Sequence, residues 1–176
     1  NAVHVNLSAG DYGYISQAAD ATVKSGGLTS FASFSHSRSE GYKENTDFDM
    51  TNAFLQLRYD SKLFGALNLQ SGYQDKGFGA YGFYSAAYPD EYEQTRTFFA
   101  SLSSEKKIGN FTLLPKIYWR QHHDRFELFR AFENAPIWYT QHNYHQTDVV
   151  GATLTGSYLS AWGKTSTGID FRSEHI

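Results

Sequence analysis

The chain is predicted to be all-β, an antiparallel up-and-down meander of about nine strands that forms part of a transmembrane barrel. Three observations predict this. Apolar and polar residues alternate along most segments, as in Phe111, Leu113, Pro115, Ile117 and Trp119 against Thr112, Lys116, Tyr118 and Arg120, and a period of two is the strand period. Short turns alternate with long polar loops, which collects the short turns at one rim and the long loops at the other, as in outer-membrane barrels. Aromatics reach 17% of residues while mean hydropathy is only -0.52. Strands that are apolar on one face only produce that combination, because the two faces average out.

The first strand sets Val3, Val5, Leu7 and Ala9 against His4, Asn6 and Ser8, and Asp11-Tyr12-Gly13 supplies turn chemistry after it. A second covers 14–24, with Ile15, Ala19, Ala21 and Val23 on one side, and Ser25-Gly26-Gly27 closes a tight turn. The third, 28–36, has Leu28, Ala32 and Phe34 in phase and Phe31 out of phase. Residues 37–47 are a polar loop. Ala53, Leu55, Leu57 and Tyr59 then pair across a turn at 60–62 with Leu63, Leu67 and Leu69. Residues 76–93, rich in Gly and Tyr, form the second long loop. Phe98, Ala100 and Leu102 lead to a turn near 105–107 and into the strand that begins at Asn110. A third long loop, 121–146, carries four of the seven histidines. Val150, Ala152, Leu154 and Tyr158 run down to Ala161-Trp162-Gly163, and Thr165, Thr167, Ile169 and Phe171 lie opposite Lys164, Asp170, Arg172 and Glu174 on the last strand.

Each strand is expected to approach the ~9–11 residues that cross a bilayer at a tilt. A soluble β-sandwich alternates in the same way. The apolar face favours the membrane, since its side chains are small or medium mid-strand and aromatic at the ends. Tyr59 and Trp162 fall beside short turns, and Tyr73 and Trp119 beside long loops, as interfacial girdles require. No run approaches the ~18 apolar residues of a membrane helix. A net charge of -3 with scattered Lys and Arg gives no case for nucleic acid. The absence of cysteine removes a disulfide scaffold, a thiolate metal site and a thiol nucleophile. Both ends lie inside alternating patterns, so residues 1–176 are expected to be one part of a larger barrel domain.

At KGFGAYGFYSAAYPDEYEQTRTFFASL, IYWRQHHDRFELFR, NYHQTDVVGATLTG and GKTSTGIDFRSEHI the chain resembles the barrel of TonB-dependent outer-membrane receptors, most like those of Bacteroides-type bacteria. The resemblance implies a fragment of a 22-stranded barrel in the bacterial outer membrane, in contact with its lipid. It further implies a plug domain, absent here, through which TonB energises transport of a siderophore chelate or cobalamin. A passive porin or an adhesin-like barrel is the alternative.

His122, His123, Asp124, His142 and His145 form the cluster that could suggest a metal. Adjacent histidines on an extended segment point to opposite sides, so no metal site and no cofactor is expected. The rim loops are expected to bind a small-molecule chelate instead, through Tyr81, Tyr84, His122, His123, Trp138, Tyr139, His142 and His145, whose rings stack and hydrogen-bond. No nucleophile elbow, phosphate loop or HExxH motif appears, so no enzyme is expected. Asp170, Arg172 and Glu174 share one strand face, where mutual pairing accounts for them.

Overall fold

Alternation becomes register in the computed structural model, which describes residues 1–176 apart from the side chain of Asn134. Nine strands lie side by side in chain order: β1 (Ala2–Ala9), β2 (Ile15–Ser25), β3 (Leu28–Ser39), β4 (Phe48–Ser61), β5 (Gly65–Gly79), β6 (Tyr92–Ile108), β7 (Phe111–Glu127), β8 (Asn143–Ser160) and β9 (Gly163–His175). All neighbours are antiparallel, and among the described residues the only helix is a 3-10 turn at Phe132–Asn134. The sheet is open, with β1 and β9 as edges. Pairing lapses between β6 and β7 at Ser104 and Glu105, opposite Pro115 and Leu114; the proline ring nitrogen has no hydrogen to donate.

Cross-strand partners share a face, so the pairs define the two surfaces. One row runs Leu57, Leu69, Leu102, Ile117, Ala152 and Phe171. The adjacent row on the other face runs Gln56, Gln70, Ser101, Tyr118, Gly151 and Arg172. Phe31 falls on the polar face for a structural reason: it joins an aromatic row with Phe54 and Phe99, ring centres 6.1 and 6.3 Å apart.

The apolar face is the open one. Ile117, Leu154, Ile169 and Phe171 are exposed, while Thr95, Val149 and Ser157 on the polar face are buried. Only Ala80 and Val149 are buried hydrophobics among the described residues. Accessible surface is 11940 Å², against roughly 8,700 Å² for a compact monomer of this mass. No second layer covers the sheet, and burial of apolar side chains in a protein core does not hold it together.

The strands are slanted relative to the short turns. A row straight across the ladders passes through Ala19, Phe34, Ala53, Tyr73, Phe98, Gln121, Asp148 and His175. It lies six residues from the short turn on β2 and β3, eight on β4 and β5, ten on β6 and β7, and twelve on β8 and β9. Two residues per hairpin, at ~3.4 Å per residue and ~4.8 Å between strands, make a tilt of about 35° from the normal to the turn rim.

Several boundaries differ from the sequence expectation. The long connections are residues 40–47, 80–91 and 128–142, all shorter than read from polarity; the turn after β4 lies at 62–64 rather than at 60–62 and takes in Leu63, and the turn after β6 lies at Gly109-Asn110 rather than at 105–107. Tyr73 and Trp119 therefore sit mid-strand, since β5 and β7 continue past them to Gly79 and Glu127. Hairpin amides pair with each other whatever the side chains are, so a ladder runs on into polar sequence.

Candidate functional site

The long-loop rim is tied into one unit by backbone and side-chain bonds. Asn45, in a left-handed conformation (φ 52°) that Asn tolerates, donates its side-chain amide to the carbonyls of Pro89 at 2.9 Å and Glu91 at 2.6 Å. Arg130 grips Asp47 with two parallel bonds, 2.6 and 2.8 Å, and donates to Asn45 Oδ1 at 3.2 Å. Its backbone N–H reaches the Asp90 carbonyl at 3.0 Å, and its guanidinium lies 4.3 Å from the Tyr92 ring centre. One residue thus joins all three long loops, the first through its side chain and the second through its backbone. Hydrogen bonding from Arg130 holds the Asp47 carboxyl below the ordinary aspartate range. Glu91, fully buried, accepts the Tyr84 N–H at 3.1 Å with one oxygen, and its other oxygen has no partner.

Beside this latch lies an aromatic cluster. Phe129 is its hub, edge-on to Tyr88, Trp138 and Tyr139 with centres 5.6, 5.8 and 5.2 Å away. The Tyr139 hydroxyl accepts the Leu128 N–H at 3.0 Å, which leaves its own hydrogen for Nδ1 of His142, also at 3.0 Å. Phe132 stands edge-on to His142 at 5.3 Å. Tyr84 packs against Phe126 at 4.9 Å and donates to Glu93 at 3.0 Å, so residues 80–91 tuck over the polar face. Burial first, then the bond to Glu93, pushes the Tyr84 hydroxyl pKa up.

The eight residues expected to bind ligand divide into three groups. Trp138, Tyr139 and His142 come together in the third loop, and Tyr84 and Tyr81 stand in the second, the Tyr81 ring lying 3.4 Å beneath the Lys43 ammonium. His122, His123 and His145 are on strands rather than in a loop. His122 faces the polar side and bonds Thr97 at 2.7 Å, and His145 is 3.9 Å from Asp124 on the same side. His123 faces the opposite side, in an outward groove with Arg96, Phe98, Gln121 and Tyr144. No three His, Asp or Glu side chains converge as metal ligands among the described residues. The latch residues Asn45, Asp47 and Arg130 escaped sequence reasoning, because a charged loop residue carries no local sign of its partner 85 positions away.

What remains at the rim is a set of ring faces and polar tips suited to stacking and hydrogen bonding. No family model matches the chain, and no curated protein matches it.

Proposed function

We propose that the sheet is a contiguous part of a transmembrane β-barrel of the outer membrane and serves energised uptake of a scarce solute, in the manner of a TonB-dependent receptor. The carrying observation is the exposed apolar face. On β2 to β9 the stretch that carries its apolar side chains ends eight to twelve residues above the short turn, at Gln17, His36, Thr51, Asp75, Arg96, Gln121, Asp148 and Ser173, with Ser30, Ser71, Ser104, Lys106, Thr165 and Thr167 as polar interruptions below that height. That height matches the ~9–11 residues a tilted strand needs to cross hydrocarbon. The tilt of about 35° supports the same reading, since membrane barrels close at ~35–45°. So does the sorting of turns of two or three residues to one rim and the long, mutually bonded loops to the other.

In this reading the polar face lines a wetted interior and the aromatic rim meets a bulky solute such as a metal chelate or cobalamin. Coupling to TonB belongs to a plug domain outside these 176 residues. The test is labelling on intact cells with a membrane-impermeant thiol reagent. Cysteines replacing Tyr84 and Trp138 should react, and one replacing Ser61 should not. The reverse pattern would invert the orientation, and solute uptake that persists without TonB would make the barrel a passive channel.

A further inference from the structure

The polar face is uneven in charge. Mid-strand on β3, β4 and β5 it is neutral and self-satisfied, with Asn52 bonded to Gln74 and Gln56 to Asn68, each at 2.8 Å, while Arg58 and Asp60 stand toward the short turns and Lys76 toward the long loops. Mid-strand across β7, β8 and β9 it presents Lys116, Arg120 and Arg172 around a groove of about 340 Å³, which Gln70, Phe99 and Tyr118 also line. Among the described residues no carboxylate lines this groove, although Asp170 lies two positions from Arg172 on the same face. Arg172 shares its charge with Glu174 just outside it, whereas Lys116 and Arg120 enter no ion pair among the described residues.

Two glycines shape the floor. Gly72 faces Phe99 and Gly151 faces Tyr118 across their ladders. A Cβ at either glycine would stand 2.2 Å from the facing ring, so only glycine lets each ring lie against the sheet, where Phe99 meets Phe54 and the Lys116 ammonium stands 5.7 Å from the Tyr118 ring centre. A groove of this size falls at the small end of ligand pockets. Its guanidiniums suit a carboxylate, which they bind through paired N–H donors.

We infer that this groove is a binding site for a small anionic solute with a flat body, of the aryl carboxylate class. The inference rests on reading the polar face as a wetted interior. The charge excludes a cationic solute, and the flat rings favour a planar body over a puckered one. The site lies on the wall, at the height of the apolar band on the opposite face, well away from the rim cluster.

The experiment uses the full chain folded in detergent micelles and isothermal titration with benzoate, cyclohexanecarboxylate and benzylamine. Benzoate should bind, cyclohexanecarboxylate more weakly and benzylamine not at all. Lys116→Gln with Arg120→Gln should weaken benzoate by roughly tenfold or more, and Lys116→Arg with Arg120→Lys should retain it. Tyr118→Leu should bring benzoate down to the level of cyclohexanecarboxylate. Equal binding of benzylamine, no binding of benzoate, or unchanged affinity in the neutral double variant would overturn the site. Quenching of Trp119 by brominated lipid, in vesicles, reads the membrane face separately. Quenching without benzoate binding discards the groove alone, and benzoate binding without quenching keeps the groove and discards the membrane reading.

Discussion

Arg130 touches all three long loops, and loss of its side chain should release the first from the third, since only its backbone N–H reaches the second. The pair with Asp47 is partly exposed, with side chains 38% and 31% accessible, so Arg130→Gln should cost about 1 kcal/mol after solvent screening. The pH dependence follows from the depressed Asp47 pKa. A carboxyl whose folded pKa lies below its unfolded value contributes stability above the unfolded pKa and loses it as pH falls through the folded one. The latch should therefore hold at neutral pH and open below about pH 4. Pepsin cleavage within 128–142 should rise steeply between pH 4 and pH 2 in the native chain. In Arg130→Gln it should already be high at pH 4. A second prediction concerns Gly72→Ala: the Phe99 ring must leave the wall, at a cost of about 1–3 kcal/mol, measurable as a lower denaturant midpoint. Phe99→Leu in the same chain should recover most of the loss.

At the scale of the strand, facing decides what a substitution does. Leu69 lies on the apolar face opposite Leu57, and Asn68, one residue before it, lies on the polar face bonded to Gln56. Leu69→Arg would place a cation in hydrocarbon at roughly 2–4 kcal/mol near the midplane and should block membrane assembly. Asn68→Arg loses a single amide bond, about 1 kcal/mol, and should assemble. Heat-modifiable migration of the two variants from outer membranes separates these outcomes, and equal assembly would contradict the facing. The strand scale also explains why the histidine cluster dissolved. Residues 122 and 123 continue the β7 ladder, so successive side chains part to opposite faces. Only residues beyond the ladder's end, such as Trp138, Tyr139 and His142, are free to gather.

Taken whole, the molecule is one open sheet whose apolar side chains Ile117, Leu154, Ile169 and Phe171 are exposed on one face. Its edges β1 and β9 are unpaired, and unpaired backbone groups in hydrocarbon cost several kcal/mol each. In water the same face offers contiguous apolar surface for association. Without detergent or lipid the chain should self-associate through that face and through its edges, while in detergent micelles it should disperse. Light scattering distinguishes the two, and a monodisperse monomer in plain buffer would contradict the membrane reading.

The sequence by itself determined the class, the strand count, the facing of Leu57, Leu69, Leu154 and Ile169, and the segregation of short turns from long loops. These are local properties: period-two alternation assigns a face to each residue, and Gly, Asn and Asp mark turns within a few positions. Polarity misjudged the strand ends, because a ladder is sustained by amides that every residue carries. Only the tertiary structure decided which distant residues meet. The tilt is a sum of registers over seven strand pairs, the latch joins Asn45 and Asp47 to Arg130, and the basic groove draws its residues from β5, β6, β7, β8 and β9. Each depends on how strands stack sideways, and a stretch of chain read on its own contains no term for its neighbours.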